Sequence, residues 1–389
     1  MKRKFLAPGN TMCLVLLLLC VASRAFGQVT SDGRTGNVIP TGVPFLLVSP
    51  DARSSAMGDA GVALQDDANA TFWNPSKMAY MKNNSSFSLS YCPWLRNLVS
   101  DASISYVNFQ TKTDDRTAIG LSMRYFNLGK VDLADANNTS QFPYNPYEYA
   151  VDASLARSFG NNFSLGFSLR YISSHIFNSD ANYKLQSGSS VGADISLFYR
   201  DTFVLFGKES DFSFGTNISN IGSKISYDNT VGSQSFLPAN LKLGIANTWK
   251  LDNSNEITFA LDLNKLLVPT PPETDGNGRI VKGKSTDVSV PAGIFGSFDD
   301  APGGFREELK EISYGTGLEY AFNHRFFIRG GYFYENPEKG NRQYCTFGVG
   351  FKYKVMDFNL SYLAAGQQKT PLANTLRFGI VFNPGSHGG

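Results

Sequence analysis

The chain has 389 residues, with 35 Lys and Arg against 33 Asp and Glu, so its formal net charge of +2 is close to neutral. A nucleic-acid-binding protein needs a basic face to neutralise phosphates, and this balance argues against such a partner. Aromatic residues are abundant, with 31 Phe and 18 Tyr against 3 Trp. Strands that alternate aromatic outer and small polar inner side chains require this composition, which favours an outer-membrane barrel over a secreted soluble protein.

Residues 1–27 have the pattern of a secretory signal peptide. Three basic residues at positions 2–4 form a positive start, an apolar run over 12–22 follows, and small residues then suit cleavage. The apolar run is too short to cross a bilayer as a helix. We expect the mature chain to begin near Gln28, with 31 basic and 33 acidic residues and a net charge of about −2.

Residues 49–79 carry helix and turn signals instead of strand alternation. Ser49 and the proline after it predict the cap and first position of a short helix that stops at Gly58. Asn74 and the proline after it repeat the start signal. Small residues between them let the backbone approach a surrounding wall closely. By itself the stretch fits either an ordinary globular Gly/Ala segment or a plug around which a barrel closes.

Period-two alternation between turn signals predicts fourteen strands over the rest of the chain. The clearest covers residues 163–171, where five apolar or aromatic residues alternate with small or polar ones. Strand lengths cluster around the roughly nine to eleven residues that a tilted strand needs to cross a bilayer. The predicted ranges are 85–92, 101–110, 117–127, 148–159, 162–174, 190–200, 211–220, 239–250, 255–264, 311–322, 325–334, 343–354, 356–363 and 373–382.

The predicted connections alternate between short turns and long loops. Even-numbered strands are followed by tight turns, with one of moderate length at 201–210, and odd-numbered strands mostly by long loops. This asymmetry is typical of outer-membrane barrels and predicts periplasmic termini and external loops. Closure is expected because an open edge in lipid would leave backbone groups unpaired. We therefore predict an all-β, 14-stranded antiparallel transmembrane barrel over residues 85–389, preceded by a periplasmic segment and lumen hatch over 28–84.

The longest connection, residues 265–310, is far longer than an ordinary hairpin loop, and such loops are usually functional or disordered. Prolines stiffen its start, residues 290–298 are unexpectedly apolar, and a short helical pattern follows. It is interpreted either as a lid that buries its own phenylalanines against the barrel mouth or as a docking surface for a partner protein, and the two are compatible. The candidate partner-binding residues are Pro269, Pro271, Phe295, Phe298, Phe305 and Leu309.

No catalytic, cofactor or metal site is predicted. His175, His324 and His387 fall at a strand end, in a turn and in the terminal tail, so they cannot share a metal. The serines just before His175, with Asp180, are the only local set that resembles a hydrolase triad, but adjacent serines on a strand point to opposite faces. The glycines follow strand alternation or turns, and nucleotide binding is not supported.

Several motifs resemble those of FadL-like outer-membrane proteins, whose N-terminal hatch folds into the barrel lumen. These motifs are DAR at 51–53, MGDAGVAL at 57–64, DDA at 66–68 and FWNP at 72–75. Two later motifs are more specific, LNKLLVPTP at 263–271 and GSFDDAPGGF at 296–305. They resemble one branch, the PorV family of the type IX secretion system of Bacteroidetes.

The resemblance implies a protein that binds the C-terminal signal domain of secreted cargo and carries it from the translocon barrel to a surface attachment complex. There the sortase-like protease PorU joins the cargo to anionic lipopolysaccharide, so the implied partners are cargo, translocon, PorU with other attachment-complex subunits, and outer-membrane lipid. No catalysis and no cofactor of its own are implied. With the barrel in place, the stretch at 49–79 is expected to be the hatch, packing these residues into the lumen: Met57, Phe72, Trp73, Asn74, Pro75 and Met78.

The alternative is FadL-type uptake of hydrophobic small molecules. Such transport needs an apolar pocket near the hatch, and Phe72, Trp73 and Met78 could line one. The predicted lumen face is polar and partly cationic, which disfavours a wide apolar tunnel. That predicted face includes Ser164, Ser168, Arg170, Thr346, Lys352 and Arg377.

Overall fold

The structure is a computed structural model that describes residues 37–94, 99, 101–134, 141–176, 186–227, 234–365 and 374–384. The predicted signal peptide, Asp180 and His387 lie outside these residues. Fourteen antiparallel strands form a closed barrel, in which each barrel strand pairs with its sequence neighbours and the first pairs with the last. The predicted fold class is therefore confirmed.

The barrel strands agree closely with the predicted ranges. They are β1 Ser85–Pro93, β2 Ser103–Lys112, β3 Thr117–Asn127, β6 Tyr147–Ser158, β7 Phe163–His175, β8 Gly188–Leu205, β9 Lys208–Gly222, β10 Asn240–Lys250, β11 Asn255–Leu266, β14 Ser313–Phe322, β15 Phe326–Tyr334, β16 Gln343–Tyr353, β17 Met356–Ala365 and β18 Thr375–Phe382. Two small hairpins lie within long loops, β4 Val131–Ala134 with β5 Gln141–Tyr144, and β12 Glu273–Thr274 with β13 Ile280–Lys282.

Alternation along each strand separates an apolar outer face from a polar inner face. On β7, Leu165, Phe167 and Leu169 are exposed, whereas Ser168 and Arg170 are buried. This period of two follows from the pleat of the strand, which points successive side chains to opposite faces. The predicted lumen-facing set is confirmed: five of its members are buried, and the sixth, Lys352, lines a cavity inside the barrel.

Connections alternate as predicted, with one difference. The connection expected at 201–210 is a turn of two residues, because β8 runs on to Leu205 and β9 begins at Lys208. Phe206 and Gly207 have φ values of 56° and 74°. Two consecutive positive φ values are typical of the primed turns that join twisted strands tightly. The sequence did not predict this turn because Phe206 occupies its first central position, where such turns usually carry Asn or Gly.

The helices are short. Pro44–Leu47 and Pro75–Tyr80 are 3₁₀ helices, and the α-helices are Ala52–Ser55, Ala70–Trp73, Val290–Gly296 and Phe305–Lys310. Within the described ranges, no helix has the length and apolar character required to cross a bilayer.

The predicted start of the first hatch helix is wrong by two residues. The cap is Asp51, whose side chain accepts a hydrogen bond from the Ser54 amide at 2.9 Å. The Ser49 hydroxyl lies instead 2.6 Å from the Ser55 hydroxyl. The second predicted start is confirmed, since the Asn74 side chain accepts a hydrogen bond from the Ser76 amide at the head of Pro75–Tyr80.

Candidate functional site

The hatch, residues 49–79, is held together inside the barrel by a contact between its two α-helical turns. Trp73 Nε1 donates a hydrogen bond to Asp51 Oδ1 at 2.6 Å, and the Phe72 ring meets the Trp73 ring edge-on with centroids 4.9 Å apart. A buried indole nitrogen needs such a partner. All six residues predicted to pack inside the barrel lie in the hatch and are buried: Met57, Phe72, Trp73, Asn74, Pro75 and Met78.

Wall strands hold the hatch through its backbone. Asp262 on β11 accepts hydrogen bonds from the amides of Gly61 and Val62 at 2.7 and 2.8 Å. On β16, the Thr346 hydroxyl accepts one from the Gly58 amide at 2.9 Å. Buried backbone N–H groups are costly when they lack a hydrogen-bond acceptor. These wall side chains supply the acceptors for the irregular hatch, as neighbouring strands do within a sheet.

Glycines on the inner face of the wall let the hatch backbone lie directly against the strands. A Cβ on Gly331 would lie 2.2 Å from the Gly58 nitrogen, and one on Gly166 would lie 2.4 Å from the Ser76 nitrogen. Equally close approaches to hatch atoms occur at Gly120, Gly215, Gly315, Gly317 and Gly348. Sequence reasoning placed glycines on the inner face as small residues and missed that they are docking positions for the hatch.

A buried ionic network joins the first hatch helix to the wall. Glu319 on β14 accepts hydrogen bonds from Arg53 Nη2 at 2.9 Å and from Arg329 Nε at 2.5 Å. Arg53 Nη1 also donates to the Asp66 carbonyl at 3.0 Å, which ties two parts of the hatch together. The DAR motif drew attention to Arg53, but its partner lies 266 residues away and has no local signal.

Two cavities lie on opposite sides of the hatch. The one towards the turn end of the barrel has a volume of about 550 Å³ and is lined by charged residues such as Arg53, Lys250 and Asp357. The one towards the long-loop end has a volume of about 90 Å³. Its lining includes Trp73 of the hatch and Lys339 of the loop between β15 and β16. Charged side chains line both cavities, and neither resembles an apolar tunnel.

Ion pairs fix the end of the long loop onto the barrel rim. Glu311 accepts hydrogen bonds from Lys265 at 2.7 Å, Lys339 at 2.9 Å and the Thr270 hydroxyl at 2.7 Å. Glu308 accepts a further bond from Lys265 at 2.9 Å. These pairs are largely shielded from solvent, so dissolved salt screens them less than it screens an exposed surface pair.

Two carboxyl groups of this rim cluster, Asp300 and Glu308, have pKa values shifted in opposite directions. Burial raises the pKa of Asp300 to about 6, and the negative charges of Glu308 and Glu311 add to that effect. Burial also opposes ionisation of Glu308, but hydrogen bonds from Lys265 and from the Ala301 amide outweigh it and lower its pKa. Of these two carboxyls, Asp300 therefore titrates nearer to neutral pH.

The family follows from comparison with known proteins. The model of the family described as Type IX secretion system protein PorV matches residues 31–273, more than half of the chain. The chain belongs to the PorV family. It is thus an outer-membrane barrel of a protein family of the type IX secretion system. No curated protein matches the chain.

This PorV-family barrel is also similar to solved barrels at low identity. The Pseudomonas putida toluene transporter TodX is 12% identical with a TM-score of 0.47, covering 89% of this chain and 98% of that one. The Ralstonia pickettii toluene transporter TbuX is 12% identical with a TM-score of 0.43, covering 85% and 95%. A Pseudomonas aeruginosa FadL homologue is 9% identical with a TM-score of 0.41, covering 90% and 100%. Likenesses of this size carry no information on substrate.

The PorV-family chain exposes its loop phenylalanines. Phe295 and Phe305 are 80% and 75% exposed, and Phe298 and Leu309 are about half exposed. The interpretation of the loop as a lid that buries these phenylalanines against the barrel mouth is therefore wrong. Packing against the rim is made instead by other residues of the loop, including Ile294 from the helix Val290–Gly296. The two candidate prolines differ from the aromatic residues, since Pro269 is buried and Pro271 is half-buried.

The histidine region of this PorV-family barrel has the geometry of an aromatic stack. The His175 ring stacks on Tyr147 with centroids 4.6 Å apart. Ser173 Oγ lies 3.3 Å from His175 Nδ1, while Ser174 turns away and donates to Glu148 at 2.6 Å, as expected for adjacent strand residues. Within the part of the chain that the structure describes, no group of three or more His, Cys, Asp or Glu side chains could hold a metal ion.

Proposed function

We propose that this chain binds the C-terminal signal domain of secreted cargo proteins and carries them from the translocon barrel to the surface attachment complex that contains sortase-like PorU. Membership of the PorV family supports a role in type IX secretion. The observation that carries the binding role is the group of exposed apolar side chains on the long loop, here called the loop patch: Phe295, Phe298, Phe305 and Leu309.

The loop patch has the properties of a docking surface. Aromatic side chains that stay exposed on one loop tend to mark interfaces, because burying them on a partner gives a large apolar gain. The ion pairs of Glu308 and Glu311 already hold the second loop helix in place, so partner binding loses less conformational entropy than it would with a free loop.

The orientation in the membrane is part of the proposal. We place the termini and the short turns in the periplasm and the long loops outside the cell, supported by the alternation of turn and loop lengths. The loop patch, which belongs to the longest loop, would then face the cell exterior, where cargo emerges from the translocon.

Uptake of hydrophobic small molecules by this barrel is the rival function. It would need an apolar path past the hatch. Phe72 and Met78 are instead packed in buried clusters, and both cavities beside the hatch are lined by charged groups. These observations favour the carrier role.

The test is affinity purification of the tagged protein from outer membranes of its natural host, with identification of the bound proteins. The variant Phe295→Ser with Phe305→Ser should lose most of the cargo that shares one C-terminal domain, and of the sortase-like protease. A matched control, Val204→Ser with Phe206→Ser, removes two equally exposed apolar side chains at the opposite end of the barrel and should retain both partners.

Recovery of wild-type barrel alone with bound fatty acid would favour uptake. Normal cargo export in a deletion strain that fails to take up a hydrophobic substrate would refute the carrier role. Equal partner recovery by the loop-patch variant and its control would refute docking at these residues.

A further inference from the structure

The small cavity at the long-loop end has three neutral polar side chains on one wall that lack hydrogen-bond partners. Asn240 on β10, Asn264 on β11 and Ser313 on β14 all line this cavity. Among the residues that the structure describes, none hydrogen-bonds to the two carboxamides or to the hydroxyl. The three groups form one patch, because Asn264 lies directly opposite Ser313 in the sheet register and diagonally across from Asn240.

The charged groups of the same cavity are matched within the chain. Three acids and three bases line it. Lys339 pairs with Glu311 at 2.9 Å. Arg342 pairs with Glu335 at 2.7 Å. These four groups therefore need no ion from outside the chain.

The third base, Lys242, and the third acid, Asp59, are matched at longer range. The charge of Asp59 acts on the Lys242 ammonium, as does that of Asp262 on β11. A charged ligand would bring a buried charge into a cavity whose own charges are already balanced, and an unmatched buried charge is costly. The lining therefore favours a neutral ligand.

We propose that this cavity binds a neutral polyhydroxyl compound of the size of a monosaccharide. A carboxamide donates through its nitrogen and accepts through its oxygen, and a serine hydroxyl does both. Each sugar hydroxyl also donates and accepts, so neighbouring hydroxyls of one ring can pair with all three groups of the patch. Ile39 and Leu266 provide apolar contacts for the C–H groups of the ring. The site goes beyond the carrier role and does not depend on it.

The size of the cavity limits the ligand. Its volume is about 90 Å³. Since one buried water needs about 10–15 Å³, the cavity has room for about six or more waters, or for one sugar ring with its hydroxyls. Maltotriose, which is neutral but has three rings, should bind no more tightly than the best monosaccharide. Tighter binding of maltotriose would overturn the assignment to single sugars.

The test is a ligand-observed NMR titration of the purified full-length barrel, in a detergent without a sugar headgroup and in buffer without glycerol. The probes are glucose, galactose and mannose, which share a hydroxyl-bearing ring and differ in stereochemistry. At least one of them should bind to the wild type. Glucuronate and glucosamine carry a negative and a positive charge on the same ring, and each should bind at least about tenfold more weakly than the best neutral sugar.

Substitutions on the patch separate the hydrogen bonds from the shape of the cavity. Asn264→Leu keeps the side-chain volume but removes the carboxamide, and it should weaken sugar binding about three- to tenfold, the usual effect of one neutral hydrogen bond. Asn240→Leu with Asn264→Leu should weaken it about ten- to hundredfold. The matched control Asn247→Leu changes another asparagine of β10, which lies outside the cavity and whose carboxamide also lacks a partner among the described residues, and it should leave affinity unchanged.

Folding is checked by the heat-dependent shift of barrel mobility on gels. If the double variant does not fold, Ser313→Ala is a smaller change in the same patch, and the comparison of neutral with charged sugars on the wild type decides by itself. Absence of binding of all three monosaccharides, equal binding of the charged analogues, or unchanged affinity in a folded Asn264 variant would each overturn the proposal.

Discussion

The Asp262 carboxylate is expected to act as a latch that holds the hatch against the barrel wall. The substitution Asp262→Ala removes this attachment. The carboxylate accepts hydrogen bonds from the amides of Gly61 and Val62, both in the buried hatch. Without it, two buried backbone donors lose their acceptor, at about 1–3 kcal/mol each and so about 2–6 kcal/mol together. Local opening of the hatch should therefore increase by about 30-fold to about 10⁴-fold.

The assay is amide hydrogen exchange of the hatch segment 57–64 in the purified barrel. Asp262→Ala should exchange this segment faster by the stated factor while the strands stay protected, and Asp262→Asn, which keeps one acceptor oxygen, should lie between it and the wild type. The matched control is Glu256→Ala, which removes a carboxylate from the same strand at its turn end, where it lies 3.4 Å from His324. Unchanged exchange in folded Asp262→Ala would refute the assignment of this carboxylate as a latch.

Three further outcomes are expected. The wild-type barrel should show only small single-channel conductance in planar bilayers, because the hatch fills the lumen; a large steady conductance would contradict this. Gly331→Ala should undock the hatch and speed its exchange, since the new Cβ would lie 2.2 Å from the Gly58 nitrogen, whereas Gly330→Ala, whose Cβ meets nothing closer than 3.9 Å, should not. Burial raises the pKa of Asp300 to about 6, which means that the folded loop favours the protonated carboxyl. The stability that this protonated form gives the loop at low pH is lost as the pH rises through about 6. Limited proteolysis of the loop should then be faster at pH 7.5 than at pH 5, a difference that Asp300→Asn should abolish; a pH dependence that persists in this variant would locate the effect elsewhere.

The strands were predictable because their information is local. A period of two over about ten residues is present in the sequence of each strand, and a shift by one residue would turn every apolar side chain inward. The inner positions of Ser168, Arg170 and Thr346 followed from the same period. The long β8 and β9 strands were the exception, since the exposed Phe206 occupies a turn position that local rules assign to Asn or Gly.

The candidate site was predictable only in part. The burial of Trp73 and Asn74 in a hatch followed from the barrel and from the motif around them, and the helical spacing from Phe305 to Leu309 was correct. The exposure of Phe305 was not predictable, because periodicity identifies a face of a helix but not what covers that face.

The sequence by itself determined the barrel, the facing of its strands and the presence of a segment that could fill the lumen, since each depends on patterns between near neighbours in the chain. The tertiary structure alone decided which wall groups hold the hatch. Asp262 meets Gly61 across 201 residues of sequence, and Arg53 meets Glu319 across 266. Such contacts arise only when closure of the sheet brings distant inner faces around one hatch, and no local pattern records them.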